Sequence, residues 1–438
     1  MLSGRSNTLT APTHAVSDRK APSNGHDVTG PVRPDPPTHA LPPTRGAHEL
    51  PARFSSSPGP VARPRAPRRP RRGLVIGVLG GAAAIAALGI TQLSANLGYD
   101  DAADRFDSAL RTATAVKSET DHTREMLTQA TDAGHVILDV ADVRIAVPED
   151  AVSALSTTVA EGEEAGAAAE TLAATAFPSP GAKPVWFWEL FGASAELAAD
   201  EIALDARAGD LEAATEDAAE AEDAVQDSGL AVLSAAAEAA AGFEAAHLSA
   251  RNDAVIALRE AAADALAVTS IDGDAATTYL ALQDAGAQII ATESEELAEK
   301  SGPLQGARLE IEAFARSLAP GVLLEFDWSP VVNGAGYNGS MGGYTTWWWD
   351  TPGRANIELS DSVAEQWPAE RSKALVAHEV GHAISVKCQD MYDSSTQDSI
   401  EKWATAWAIG MGYTDDANGV WAYGYPPQEY IDAAAGCR

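Results

Sequence analysis

The alternation of hydrophobic and polar positions changes its period along the 438-residue chain, and each change predicts a different element. Residues 73–93 (GLVIGVLGGAAAIAALGITQL) contain no charge. At 1.5 Å per helical residue that stretch spans about 30 Å, the thickness of a bilayer's hydrocarbon core. Over residues 99–301 small apolar side chains recur every three or four positions against acidic ones, as in 211–225 and 250–267, which predicts long antiparallel helices. Pro148, the run FPSPGAKP at 177–184 and Asp272-Gly273-Asp274 interrupt that pattern. Beyond Gly302 the pattern reads as a helix over 304–318, strands over 322–328, 343–349 and 355–359, then helices over 365–386, 396–409 and 427–435.

Composition separates the same regions. Residues 1–72 hold 14 of the 25 prolines and almost no large apolar side chains, so they cannot bury enough surface to offset chain entropy and are expected to be disordered. Their 12 Lys+Arg against 4 Asp+Glu give +8, which leaves −41 of the formal −33 for the remainder. An acidic surface of that size repels phosphates and excludes nucleic acid as a partner. Arg63, Arg65, Arg68, Arg69, Arg71 and Arg72 precede the uncharged stretch, and Asp100 and Asp101 follow it. The arginine flank predicts a single-pass signal anchor over 73–93 with a cytoplasmic N-terminus and an extracytoplasmic C-terminal part. Gly73, Gly77 and Gly81 have the G-x-x-x-G spacing that permits close helix pairing, a weak signal in so Gly-rich a run, and a homo-oligomer through the stalk is compatible with the sequence.

Residues 99–301, rich in Ala and Glu, predict an all-α, slender and elongated bundle, a stalk outside the membrane. Eight of the ten tryptophans lie from Trp328 onward and supply the buried area that the stalk lacks. Residues 303–438 are therefore expected to be the compact domain, α+β, with strands first and helices after. Gly334, Gly336 and Gly339 match G-x-G-x-x-G, but Ser340-Met341-Gly342-Gly343 follows instead of a helix, so the match reads as a loop.

The chemistry concentrates in LVAHEVGHAI at 375–384. His378 and His382, at i and i+4 on one helix face, can converge on one metal, with Glu379 beside the open coordination position. Apart from the motif positions this segment is uncharged, as expected of a buried helix. A third ligand is needed. Cys388 stands six residues after His382, where the metzincin pattern has its third ligand, but Ser385 stands where that pattern has a glycine. Glu401 is the stronger candidate: 388–398 reverse the chain, Ser395 with Asp398 resembles a capping box, and Ala404 and Ala408 keep the Glu401 face small. Trp403 and Trp407 would pack on another face.

His378-Glu379-x-x-His382 followed by Glu401-x-x-Ala404 resembles the gluzincin metallopeptidases, in particular the small minigluzincin type. The resemblance covers only the last 120 or so residues. It implies Zn2+ held by His378, His382 and Glu401, Glu379 as general base, and a peptide or protein substrate added as a strand to an upstream edge strand, mapped onto Asn356, Ile357, Glu358 and Leu359. A residue stabilising the oxyanion would be Tyr413, Tyr423 or Tyr425. Cys388 and Cys437, even in number and placed outside the cytoplasm, are expected to form a disulfide. The leading expectation is a membrane-anchored extracytoplasmic zinc peptidase. The alternative is a surface adhesion or sensor protein whose stalk is the working part and whose terminal domain is catalytically silent.

Overall fold

The computed structural model describes residues 72–438 apart from Asn338 and Pro352, with side chains from Ala83 onward. The proline-rich tail lies outside the described residues, as do the side chains of the first half of the predicted span. Gly73–Arg438 forms one compact unit that is mostly helical and carries a small sheet.

The helical region comprises α1 (Arg72–Leu138), α2 (Glu149–Ala173), α3 (Phe187–Ala246), α4 (Asn252–Ala267) and α5 (Gly273–Glu299). The predicted breaks at Pro148, 177–184 and Asp272 fall between helices, and the Asp272 carboxylate caps α5 by accepting from the Asp274 and Ala275 N–H groups. Consecutive helices run antiparallel, as the pattern predicts: Gly134 of α1 faces Val159 of α2 while Gly162 faces Thr131, and Thr158 of α2 meets Ser228 of α3 at 2.7 Å. α1 and α3 therefore run in the same direction, Arg105 meeting Glu201 at 3.1 Å and Thr120 meeting Thr215 at 2.8 Å. The non-helical segment 174–186 carries the chain on past the end of α2, so that α3 starts beside Gln92.

Small residues make the seams, with Ala130, Ala236, Ala218 and Ala113 fully buried. Gly162 faces Thr131 and Leu127 so closely that a Cβ would stand 2.9 Å from the Thr131 methyl. Gln283 supplies the polar lock: its side-chain oxygen accepts from the Arg144 and Ile145 N–H groups, and its amide donates to the Ile145 carbonyl. By length and composition α3 is apolar enough to cross a membrane, but Val225, Val232, Leu233 and Ala236 on it are buried in one cluster with Leu258 of α4 and Leu282 and Ile289 of α5. On α1, by contrast, residues 83–90 are all exposed.

The terminal region begins with α6 (Gln305–Leu318) and β1 (Leu323–Ser329), followed by the short pair β2 (Val331–Val332) and β3 (Ala335–Gly336), then β4 (Gly343–Trp347) and β5 (Arg354–Ser360). Gly334, Gly336 and Gly339 all have positive φ and shape the β2–β3 turn region, in keeping with the loop reading. β5 is central, parallel to β1 and antiparallel to β4. After α7 (Asp361–Glu365) come α8 (Glu370–Ser385), α9 (Gln397–Gly410), α10 (Val420–Tyr423) and α11 (Gln428–Ala434). The helix predicted over 365–386 is divided at Pro368, before which Trp367 cannot readily stay helical.

Phe326, Ile357 and Leu359 of the sheet pack with Val376, Val380 and Ile384 of α8, and Trp403 and Trp407 of α9 are fully buried in the same core. The helical region is bonded to this domain. Asn252, opening α4, donates from its side chain to the Leu323 and Ala355 carbonyls, and its N–H donates to the Glu325 carboxylate. The buried Lys300 ammonium lies 3.1 Å from both Glu296 and Glu312, and Arg316 and the Trp328 indole N–H complete the Glu312 contacts.

Candidate metal centre

α8 carries the sequence His378-Glu379-Val380-Gly381-His382, and all three polar side chains are buried. The helical spacing turns both imidazoles to one side. α9 then approaches that side, because Gly381 opposes Ala404: a Cβ at 381 would stand 3.0 Å from both the Cα and the carbonyl oxygen of Ala404. Trp403 and Trp407 occupy the other side of α9. The helix is capped by Thr396, whose hydroxyl accepts from the Ser399 N–H, rather than by Ser395; Ser395 turns back to Asp393.

Glu401 thus reaches the histidines. Its Oε2 lies 3.1 Å from His378 Nε2 and 3.3 Å from His382 Nε2, and the two Nε2 atoms are 3.1 Å apart. Donors at zinc-ligand distances around a tetrahedral centre would stand roughly 3.3 Å from one another, so this triangle fits such an ion. His378 Nδ1 faces the Asn418 carbonyl at 2.9 Å, and donation to that acceptor would leave Nε2 free to ligate a metal ion. Burial pushes the Glu401 carboxyl up, but the hydrogen bonds and charges of His378 and His382 outweigh it and hold the group well below the usual carboxylate range. Gln397 donates to the other carboxylate oxygen at 2.6 Å. Among the described residues, His378, His382 and Glu401 are the one group arranged to hold a metal ion.

Glu379 stands apart from the triangle, toward β4. Its Oε2 accepts from the Thr345 hydroxyl at 2.7 Å. At Gly343 a Cβ would come within 2.4 Å of Glu379 Oε1, so the missing side chain makes room for the carboxylate. Trp347, at the end of the same strand, stacks on His382 with centroids 5.5 Å apart. Gly342, Gly343, Arg371, His378, Glu379 and Tyr423 are among the residues lining a cleft of about 890 Å³.

Two expectations change. Asn356, Ile357, Glu358 and Leu359 are not on an edge strand: β5 is paired with β1 on one side and β4 on the other, which uses its backbone donors and acceptors. Ile357 and Leu359 are core residues, and Asn356 donates to Asp327 on the opposite face. The strand next to the cleft is β4, with one side paired to β5. Of the three tyrosines, Tyr413 packs edge-on against Phe314 and Tyr425 is exposed, whereas Tyr423 lines the cleft and stacks over His378 at 6.1 Å. Burial first, and then the charges of Glu401 and Glu379, push the Tyr423 hydroxyl above the usual phenol range, so it keeps its proton at neutral pH.

Sequence reasoning missed Thr345, Gly343 and Asn418. Asn418-Gly419 carries the turn signal that could have found the last: Gly419 has φ 102°, and a Cβ there would lie 2.3 Å from Thr405 Oγ1 and 2.8 Å from His378 Nδ1. The Cys388–Cys437 disulfide is present and ties the turn after α8 to the C-terminus, where the Trp407 indole donates to the Cys437 carbonyl. His135 and His247, read as ordinary helix residues, pair with Glu163 and Glu293. Comparison of the chain with known protein families, with curated proteins and with solved structures finds no match.

Proposed function

We propose that the protein is a zinc-dependent peptidase of gluzincin type, anchored through residues 73–93 with the catalytic domain outside the cytoplasm. The observation that carries this reading is the His378, His382 and Glu401 triangle with a separate carboxylate, Glu379, beside it. Two imidazoles and a carboxylate are a donor set suited to catalytic zinc. When bound, the ion would supply a Lewis acid and acidify a water molecule.

The chain's own groups supply the remainder. Glu379, oriented by Thr345, takes a proton from the attacking water and delivers it to the leaving amine. Tyr423 donates a hydrogen bond to the developing oxyanion. An extended peptide adds to the free side of β4, where main-chain pairing gives affinity without demanding one sequence. The arginine-rich flank on the N-terminal side of the span gives the orientation.

The test is a peptide-library digest by the full chain and by Glu379→Gln. Cleavage should fall by roughly 10²- to 10⁴-fold in the variant, with its metal content unchanged. Equal cleavage by the two proteins would remove Glu379 from the mechanism, and no cleavage by the unaltered chain would favour the silent-domain alternative.

A further inference from the structure

The helical region holds two of the ten tryptophans, Trp186 and Trp188, and both sit at one end of it. Large apolar side chains normally find a core, yet Val185, Trp186, Trp188 and Phe191 are 74%, 56%, 58% and 52% exposed. The indoles stack on each other, centroids 5.2 Å apart and planes 4° from parallel. Trp188 and Phe191, at i and i+3, share one face of α3. The cluster is fixed in place. The Gln92 amide donates to the Val185 carbonyl and its side-chain oxygen accepts from the Phe187 N–H, both at 2.9 Å, while Leu190 beneath is fully buried with Ala95 and Tyr99. Lys183, just before it, bonds Asp100 and lies over the Tyr99 ring.

These bonds set the cluster at the level of Gln92, where the uncharged stretch of α1 ends. There α1 exposes its own Leu93 and Leu97, and the exposed apolar surface continues through Ile90, Leu88 and Ile85. We infer that Val185, Trp186, Trp188 and Phe191 form an interfacial anchor that lies in the headgroup layer of the bilayer crossed by α1. The inference rests on reading residues 73–93 as the span and is independent of the peptidase reading.

Continuity and composition select lipid as the occupant. At the level of Gln92, which bonds the two helices, the exposed apolar residues of the span are joined by those of a second helix. Tryptophan, with an apolar ring and one N–H, is the residue type that concentrates at the membrane–water boundary. From the level of Gln92 to that of Leu97 the rise is about 8 Å, the scale of one interfacial layer. Two points of attachment, one crossing and one lying at the surface, would fix the tilt and rotation of α1 and stop the extracytoplasmic part from swivelling about a single helix.

The full chain reconstituted in phosphatidylcholine vesicles brominated close to the headgroup tests this. The fluorescence of Trp186 and Trp188 should be quenched, roughly a fifth of the emission if the ten tryptophans contribute equally, and Trp186→Phe/Trp188→Phe should lose that quenching while keeping the apolar surface. Flotation of the same vesicles reads the span separately. Protein that fails to float would overturn both the span and the anchor. Protein that floats but shows the same quenching in wild type and variant would overturn the anchor alone and leave the cluster to a protein partner.

Discussion

The helical region and the terminal domain solve the same burial problem with different mixtures. The first sets small side chains such as Ala113, Ala130, Ala218 and Ala236 between leucines such as Leu155, Leu211 and Leu258, all buried along long seams. The second fills one core with Trp403, Trp407, Phe326, Ile357 and Leu359. A long seam spreads stabilisation over many small contacts, whereas a core of indoles concentrates it in a few. The His378, His382 and Glu401 donors, 3.1 to 3.3 Å apart, stand on the two helices that carry the second kind of core, whose packing holds their side chains in place.

The largest expected break in this contrast is Trp403→Ala. Removing a fully buried indole should destabilise the terminal domain by about 3–5 kcal/mol. Tryptophan emission during denaturation measures it, since seven of the nine tryptophans that remain report on that domain. Replacing both Cys388 and Cys437 by serine comes next. The bridge joins positions 49 apart, and a loop of that length is worth about 4 kcal/mol in the chain-entropy model, read by the same denaturation curve.

Gly343→Ala sharpens the contrast by separating stability from activity. The added Cβ collides with Cγ, Cδ and Oε1 of the buried Glu379 side chain rather than with backbone, so melting should fall less than in the two changes above. Displacing the base by an ångström should nevertheless lower peptide turnover by about 10²-fold, measured as kcat/KM. The smallest effect is expected in the seam. Ala237→Gly on α3 should cost about 1 kcal/mol by far-ultraviolet circular dichroism and leave tryptophan emission unchanged.

The two regions were also unequally legible in the sequence. Helical spacing was enough to put His378 and His382 together on α8, and the small residues around Glu401 were enough to bring α9 close, because both are local consequences of a 3.6-residue period. Strand order is not local. β5 looked like an edge because its alternation resembles that of any half-buried strand, and only the pairing of Leu323–Ser329 and Gly343–Trp347 on its two sides makes it central. The Asn418 carbonyl behind His378 was equally hidden, since a backbone acceptor leaves no mark of its own in the side-chain pattern. In the helical region the periodic segments and their alternation were readable, but the pairing of the start of α3 with Gln92 was not: it depends on how far the extended segment 174–186 travels, not on what its neighbours prefer.

His378, His382 and Glu401, from two helices, are arranged so that together they could hold one ion. Elemental analysis of the full chain after dialysis against trace zinc tests it most directly, beside Glu401→Ala and His378→Ala. About one zinc per chain is expected, falling sharply in either variant while the helical circular dichroism signal persists. Zinc absent from the unaltered protein, or bound equally well by both variants, would contradict it.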